Sequence, residues 1–327
     1  MNDSPPPGDA PAIAPVSRHG GAEAAGAPYA LVAPAEQTAA VVVASPHSGR
    51  DYPPAFVAGS ALDPLSLRKS EDGFVDELFA CAPAEGVPLL AARFPRAFVD
   101  VNREPYELDP AMFADDLPDY VNTTSPRVAA GLGTIARIVA NGESIYREKL
   151  PFAEAKRRAE TCYEPYHAAL AGLIGATVER FGHCILLDAH SMPSNAPCVA
   201  PGTAGDVASG RGPRDADAVL GDLHGTACAP AVTEAAERCL RRRGYRVARN
   251  APYAGGYVTR HYGRPRTGVH VIQVELSRAL YMDEQRLTRG AGFDAVAGDC
   301  RALLQVLRAV PPDLLTPKAA FARPRAG

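Results

Sequence analysis

A chain of 327 residues with 34 Lys and Arg against 37 Asp and Glu is close to electroneutral; lacking a long basic stripe with interleaved aromatics, it excludes nucleic acid as an expected partner. No apolar run is long enough to cross a bilayer and the amino terminus has no charged-then-apolar signal pattern, so a cytoplasmic protein with no membrane partner is expected. Seven Cys occur without a C-x-x-C pair, which excludes a zinc ribbon and reads as reduced thiols, Cys184 and Cys239 among them packed as small hydrophobes.

Residues 1–28, rich in Pro, Ala and Gly, cannot bury enough surface to offset ordering entropy and are expected to form a disordered tail. A single domain is expected over 29–315, followed by an irregular tail at 316–327. The folded part opens with a buried strand, Ala40 to Ala44, followed at once by Ser45-Pro-His-Ser-Gly49. Leu65 to Cys81 carries a helical apolar stripe (Phe74, Val75, Leu78, Phe79) and predicts one helix with Glu71 and Asp72 in its first half. Leu89 to Ala92 predicts a short strand. Arg96 to Arg103 predicts another, with Asn102 and Arg103 at its far end. From Leu132 to Ile174 the pattern is helical with interruptions at Pro151 and Pro165, and contains the cluster Glu164-Pro-Tyr-His167.

The run Cys184 to Leu187 is apolar throughout and ends in Asp188, His190 and Ser191 before Pro193. That is how a strand of a buried parallel sheet reads, and ligands bind outside the carboxyl ends of such strands. Residues 201–217, rich in Gly and Asp, predict a surface loop. Ala231 to Arg243 predicts a helix capped at Gly244, Tyr245 to Arg249 a strand, and Ala254 to Gly263 a loop. Val269 to Leu276 is the last strong strand, with Glu275 at its end, and Phe293 to Val310 a final amphipathic helix. Strands alternating with helices predict an α/β fold with a mixed, mostly parallel sheet flanked by helices on both faces. No G-x-G-x-x-G, P-loop or G-x-S-x-G pattern suits a dinucleotide, a nucleotide or a serine hydrolase.

Strand ends thus deliver His47, Asn102 with Arg103, His190 and Glu275. Two neutral imidazoles and a carboxylate with an open fourth position make a catalytic zinc site, which lowers the pKa of bound water and polarises a carbonyl. A further carboxylate, for which Glu275 is suited, takes the proton from water and returns it to the leaving amine. A guanidinium such as Arg103 grips a substrate carboxylate through its fork. Each residue also has a plainer role. His47 could cap a turn, and Glu71 and Asp72 could be first-turn acids of a helix. Asn102-Arg103 could be a turn with a surface ion pair, and Glu275 could pair with Arg278 on the surface. His167, His224 and His261 are further candidates, whereas His183 and His19 are expected to be non-functional.

The segments Ser45-Pro-His-Ser-Gly49, Asp100-Val-Asn-Arg103, Glu164-Pro-Tyr-His167, Leu187-Asp-Ala-His-Ser191, Gly255-Gly-Tyr-Val-Thr-Arg-His-Tyr-Gly263 and Val274-Glu-Leu276 together resemble the N-formylglutamate amidohydrolase family, in the family's order, over residues 39 to 285. That family is similar in fold to zinc carboxypeptidases and aspartoacylases. The resemblance implies His47 and His190 as zinc ligands and Glu275 as the base. It also implies Asn102 and Arg103 as carboxylate binders and Arg260 as a contact to the second carboxylate or the carbonyl oxygen. Carboxypeptidases place an acid three residues after the first His, where this chain has Arg50. Asp72 fits the family's acidic position best, ahead of Glu71 and Asp51. The loop carries Tyr257 where some members have His, which leaves the acyl group open. The implied activity is zinc-dependent hydrolysis of N-formyl-L-glutamate to formate and L-glutamate in histidine degradation, another divalent metal being chemically possible. The alternatives are a related metal-dependent amidase or deacylase of another N-acyl amino acid or small peptide, and a non-catalytic binding protein on the same fold. Oligomeric state is not legible.

Overall fold

Runs of β-branched and Leu side chains, Val41-Val-Val-Ala-Ser45 and Cys184-Ile-Leu-Leu187, form the middle of the sheet, where both faces are covered and no polar alternation is required. The computed structural model describes residues 26–139, 142–196 and 216–316; nearly all of the expected amino-terminal and carboxyl-terminal tails and most of the expected 201–217 loop lie outside the described residues. Seven strands make one sheet: β1 (Tyr29–Val32), β2 (Val41–Ser45), β3 (Leu89–Ala92), β4 (Cys184–Met192), β5 (Ala218–Gly221), β6 (Val247–Arg249) and β7 (Val269–Ser277), in the order β1-β3-β2-β4-β7-β5-β6. The four strands β3, β2, β4 and β7 are mutually parallel, β1 and β5 run antiparallel to β3 and β7, and β6 follows β5. The sheet is therefore mixed and mostly parallel, with helices on both faces.

Strand alternation sorts the core into two layers. Val41, Val43, Ile185, Leu187 and Ile272 face the helices Pro230–Arg242 and Phe293–Arg308. Val42, Ala44, Leu186 and Val271 face the helix Glu164–Phe181 through Tyr166, Leu170 and Ile174. On β4 and β7 the rows of the second face continue, towards the carboxyl ends, as Asp188 and His190 and as Gln273 and Glu275. The register sets Asp188 opposite Gln273 and His190 opposite Glu275. The apolar part of each row builds the core, and its polar end builds the floor of a cleft.

Several local expectations are corrected. The helix expected over Leu65 to Cys81 is two short helices, Pro64–Arg68 and Val75–Leu78. The break falls at Asp72, whose N–H donates to the His47 carbonyl at 3.0 Å, and Phe74 then takes the left-handed φ of 64° that reverses the chain. Arg96 to Arg103 is not a strand but a chain of turns, with Phe98 and Val99 N–H groups on the Pro95 carbonyl and the Asp100 carboxylate accepting the Asn102 N–H. The helical pattern expected from Leu132 begins only at Phe152. At Pro165 the helix does not end; it passes through a π-turn, Ala159–Tyr163, that accommodates the ring and the missing N–H. Within the expected Ala254 to Gly263 loop lies a short helix, Tyr257–Tyr262. The edge strand β1 and the inserted β5 have no clear strand signal in the sequence. The six described cysteines, Cys184 and Cys239 included, are free thiols.

Candidate active site

His47 leaves β2 in the tight turn Ser45-Pro-His-Ser-Gly49, held by the Ser45 and Ser48 hydroxyls at 2.8 Å. Gly49 is needed there because a Cβ would stand 2.1 Å from the Phe94 carbonyl oxygen. The buried imidazole is oriented by its Nε2, 2.7 Å from Asp100 Oδ1. Its Nδ1 is buried, has no hydrogen-bond partner among the described residues, and points at Asp72 Oδ2, 3.3 Å away. His190 is arranged in the same way from β4. Its Nε2 is 3.0 Å from Asp188 Oδ1 and 3.1 Å from the Asn102 amide nitrogen, while its Nδ1 is 3.0 Å from Asp72 Oδ2. The two rings stand 4.7 Å apart, and ligand atoms of His47, Asp72 and His190 all lie within 4.8 Å of one another.

This donor set fits a divalent cation of the zinc type. Two imidazole nitrogens of the same kind and one carboxylate oxygen converge, all buried. The outer nitrogen of each ring is turned to a carboxylate, as metal-binding histidines require. The orphaned Nδ1 of His47 is the sharpest observation, because a buried ring nitrogen without a partner is costly in a site without an ion. Of the three acids considered for the third position, Asp72 is in the cluster. Glu71 is equally buried but accepts from Tyr52 and Arg68, and Asp51 is exposed and outside it.

Charge is balanced tightly. Burial disfavours the Asp72 carboxylate, but the hydrogen bond to His190 and the facing His47 ring and Arg96 outweigh it and hold the group well below the usual range. Asp100 is likewise held low, against burial, chiefly by Arg103 and by His47 and Arg96. Burial opposes a charged His190, yet Asp188 and Asp72 raise its pKa well above that of a free imidazole. Glu275 is the contrast. Burial pushes it up to about 7, the neighbouring His190 opposing and Asp72 adding to the shift. It accepts a hydrogen bond from the Gln273 amide at 2.8 Å, and that amide's oxygen accepts from the Gly256 N–H at 2.8 Å. A carboxyl poised near neutrality beside the cation-fitting cluster has the property a general base needs.

These groups open on a cleft of about 410 Å³ lined also by Arg96, Arg103, Arg127 and Arg278. Arg96 donates to Asp100 Oδ2 at 2.7 Å. Arg278 does not pair with Glu275 on the surface; it is buried and donates to Asp72 Oδ1 at 3.0 Å and to the Ser191 hydroxyl at 3.1 Å. Arg103 donates to the carbonyls of Leu132 and Asn102 and keeps Nη2 3.7 Å from Asp100. Asn102 lines the cleft, but its amide is engaged inward: the oxygen accepts from the Val258 N–H at 2.8 Å and the nitrogen faces Asp188 and His190. The Gly-Gly pair permits this approach, since a Cβ on Gly256 would meet the Asn102 amide at 2.4 Å.

The structure does not bring Arg260 into the cleft. The Tyr257–Tyr262 helix turns Val258 and Thr259 inward, which leaves Arg260 exposed on the opposite side, over the Tyr257 ring, in a separate depression with Glu104, Tyr120 and Arg264. His167 is not at the cleft either. Its nitrogens are 2.8 Å from the Tyr262 hydroxyl and 2.9 Å from the Val101 carbonyl, and Tyr163 donates to the Arg103 carbonyl at 2.8 Å. Both residues, at or just after the π-turn, pin the backbone on either side of Asn102. His224 and His261 are exposed and stand outside the cluster.

The family model described as N-formylglutamate amidohydrolase matches residues 39–282. The chain belongs to the N-formylglutamate amidohydrolase family. It is 33% identical over 249 residues to an N-formylglutamate deformylase of Pseudomonas aeruginosa, covering 75% of this chain and 83% of that protein, and 29% identical over 247 residues to one of Pseudomonas putida, covering 75% and 82%. The crystal structure of an N-formylglutamate amidohydrolase from Ralstonia eutropha superposes with a TM-score of 0.77 at 38% identity, covering 87% of this chain and 98% of that one. A gene product of Agrobacterium tumefaciens shares the fold, with a TM-score of 0.59 at 17% identity and 87% and 96% coverage. Membership in the N-formylglutamate amidohydrolase family makes this chain a hydrolytic enzyme acting on amides, and the cleft described above is its candidate active site.

Proposed function

We propose that the chain hydrolyses N-formyl-L-glutamate to formate and L-glutamate, as the last step of a histidine-degradation route, with a zinc ion held by His47, Asp72 and His190. The observation that carries this reading is the convergence of His47 Nδ1, His190 Nδ1 and Asp72 Oδ2, with Glu275 directly across the strand pair from His190. When bound, the ion supplies Lewis acidity to the formyl oxygen and to the attacking water.

The remaining work belongs to the side chains. Glu275 takes the proton of the attacking water and delivers it to the departing nitrogen, so water is divided between formate and the amine. Negative charge developing on the formyl oxygen faces Arg96, which is anchored by Asp100 and therefore needs no reorientation during reaction. Arg103 grips the α-carboxylate from the rim. Asn102 positions rather than grips, because its amide is tied to Val258 and directed at His190.

The test is formate release from N-formyl-L-glutamate with and without a chelator, with N-acetylaspartate and N-acetylglutamate for comparison. Chelator-sensitive turnover of the formyl compound alone is expected. Turnover of the acetyl compounds only would keep the chemistry and move the substrate, and chelator-resistant turnover would remove the metal.

A further inference from the structure

We infer that Arg127 is the residue that reads an acidic side chain on the substrate, so that selectivity for a dicarboxylate over its neutral amide analogue resides in this one guanidinium. The inference rests on the amidase reading above and names the group that selects its substrate.

Three of the four guanidiniums around the cleft have partners in the protein, Arg103 through Nε and Nη1, which leaves its Nη2 edge, 3.7 Å from Asp100, to the α-carboxylate. Arg96 is on Asp100, Arg278 on Asp72 and Ser191, and Arg103 on two backbone carbonyls. Arg127 differs. It is half-buried and lines the same cleft, and among the described residues its guanidinium makes no hydrogen bond or ion pair. Like-charged Arg103 lines the same cleft and feels the Arg127 charge. A partly desolvated cation beside another cation is unfavourable unless an anion arrives.

Its backbone, by contrast, is firmly held. Arg127 lies in the short helix Pro126–Ala129, whose Ser125 cap accepts from the Val128 N–H, and the Arg127 carbonyl accepts from the Leu132 N–H at 2.8 Å. Arg103 Nε donates to the Leu132 carbonyl at 2.8 Å, which ties the two arginine-bearing segments together. Leu132, Ala136 and Ile138 line the cleft from the same stretch of chain, a surface suited to the methylenes of a short acidic side chain. The result is a donor on a firmly held backbone, without a hydrogen bond or ion pair among the described residues, next to an apolar wall.

The net charge of the cleft agrees. Four guanidiniums, Arg96, Arg103, Arg127 and Arg278, line it with two carboxylates, Asp100 and Glu275, and two more, Asp72 and Asp188, stand behind it against His190. A divalent cation would leave two positive charges, which a dianion neutralises and a monoanion does not. With Arg103 on one carboxylate, Arg127 is the unpaired donor left for the other.

The test compares kcat/KM for N-formyl-L-glutamate and N-formyl-L-glutamine in the zinc-loaded full chain, wild type against Arg127→Gln and Arg127→Lys. The ratio favouring the glutamate compound should collapse about a hundredfold in Arg127→Gln, the worth of a charge-assisted contact, and be partly kept in Arg127→Lys. A ratio that stays the same, whether both activities fall together or neither moves, would overturn the inference. So would a wild type without preference. A second readout does not need turnover. Calorimetric titration with L-glutamate and L-glutamine should show a preference for glutamate that Arg127→Gln loses, and a preference surviving that change would also overturn it. A wild type that cleaves neither formyl compound yet binds glutamate through Arg127 would defeat the proposed reaction and leave the carboxylate site standing.

Discussion

Glu275→Gln should abolish turnover and, at alkaline pH, make the metal-free protein more stable. The side chain is almost fully buried, and burial lifts its pKa from 4.5 to about 7. Each pKa unit corresponds to about 1.4 kcal/mol, so holding this carboxylate ionised in the folded state costs on the order of 3 kcal/mol relative to the unfolded chain. The folded pKa is the higher one. The group therefore contributes its full stability below about pH 4.5, loses it as pH rises, and has lost it above pH 7. Gln has the same shape and does not ionise. Urea denaturation of the metal-free proteins should show the variant ahead by up to about 3 kcal/mol at pH 8 and the two converging towards pH 5. In the zinc-loaded enzyme the same change should cut kcat by about a hundredfold or more, as loss of a general base does, with zinc content unchanged. A variant that keeps turnover would refute the role as base, and one that is no more stable than wild type at pH 8 would refute the burial argument.

Asp100→Asn should weaken zinc binding by about ten- to a hundredfold, because it removes the carboxylate that orients His47; competition with a chromophoric chelator measures it, and unchanged affinity would separate Asp100 from the metal. Gly256→Ala should lower both stability and activity, since the new Cβ would collide with the Asn102 amide; a thermal melt and a formate assay check it. Tyr163→Phe removes the hydrogen bond to the Arg103 carbonyl and should cost about 1 kcal/mol of stability and raise KM more than it lowers kcat. The acid limb of kcat/KM should fall as Glu275 gains its proton, with an apparent pKa no higher than about 7, because a neighbouring cation can only lower it; an acid limb above that value would point to a different base.

The strands that carry His190 and Glu275 are legible in the sequence because an apolar run that turns polar only at its end suits little besides a buried strand reaching a cleft. The residue pattern alone does not single out Asp72 from Glu71 and Asp51; only the family resemblance puts it first, and the reason is local. The apolar stripe Phe74, Val75, Leu78 and Phe79 is helical in period, but nothing in that period shows that the Asp72 N–H is taken by a residue 25 positions earlier. The segment from Arg96 to Arg103 reads as a strand for the same reason: Phe98, Val99 and Val101 are buried, yet burial arises from a coil of turns packed on the sheet. Gln273 could have been found, since it stands two residues before Glu275 just as Asp188 stands two before His190. Arg278 is misplaced by sequence because pairing with the nearest acid in the chain ignores which face each side chain takes after β7. Arg127 carries no sequence signal; only its lack of a hydrogen bond or ion pair among the described residues marks it.

The hydrogen bond from the Asp72 N–H to the His47 carbonyl has a consequence for how the enzyme is assembled in a cell. It joins the segments that carry His47 and Asp72 through the main chain, and Arg278 and Arg96 face the Asp72 carboxylate from within the protein. Under the metal reading proposed above, the donors of His47, Asp72 and His190 would thus already be held together by the fold before an ion is taken up. Because N and O donors of this kind accept several first-row ions, the ion taken up under that proposal would depend on which metal the surroundings supply rather than on the folding of the chain.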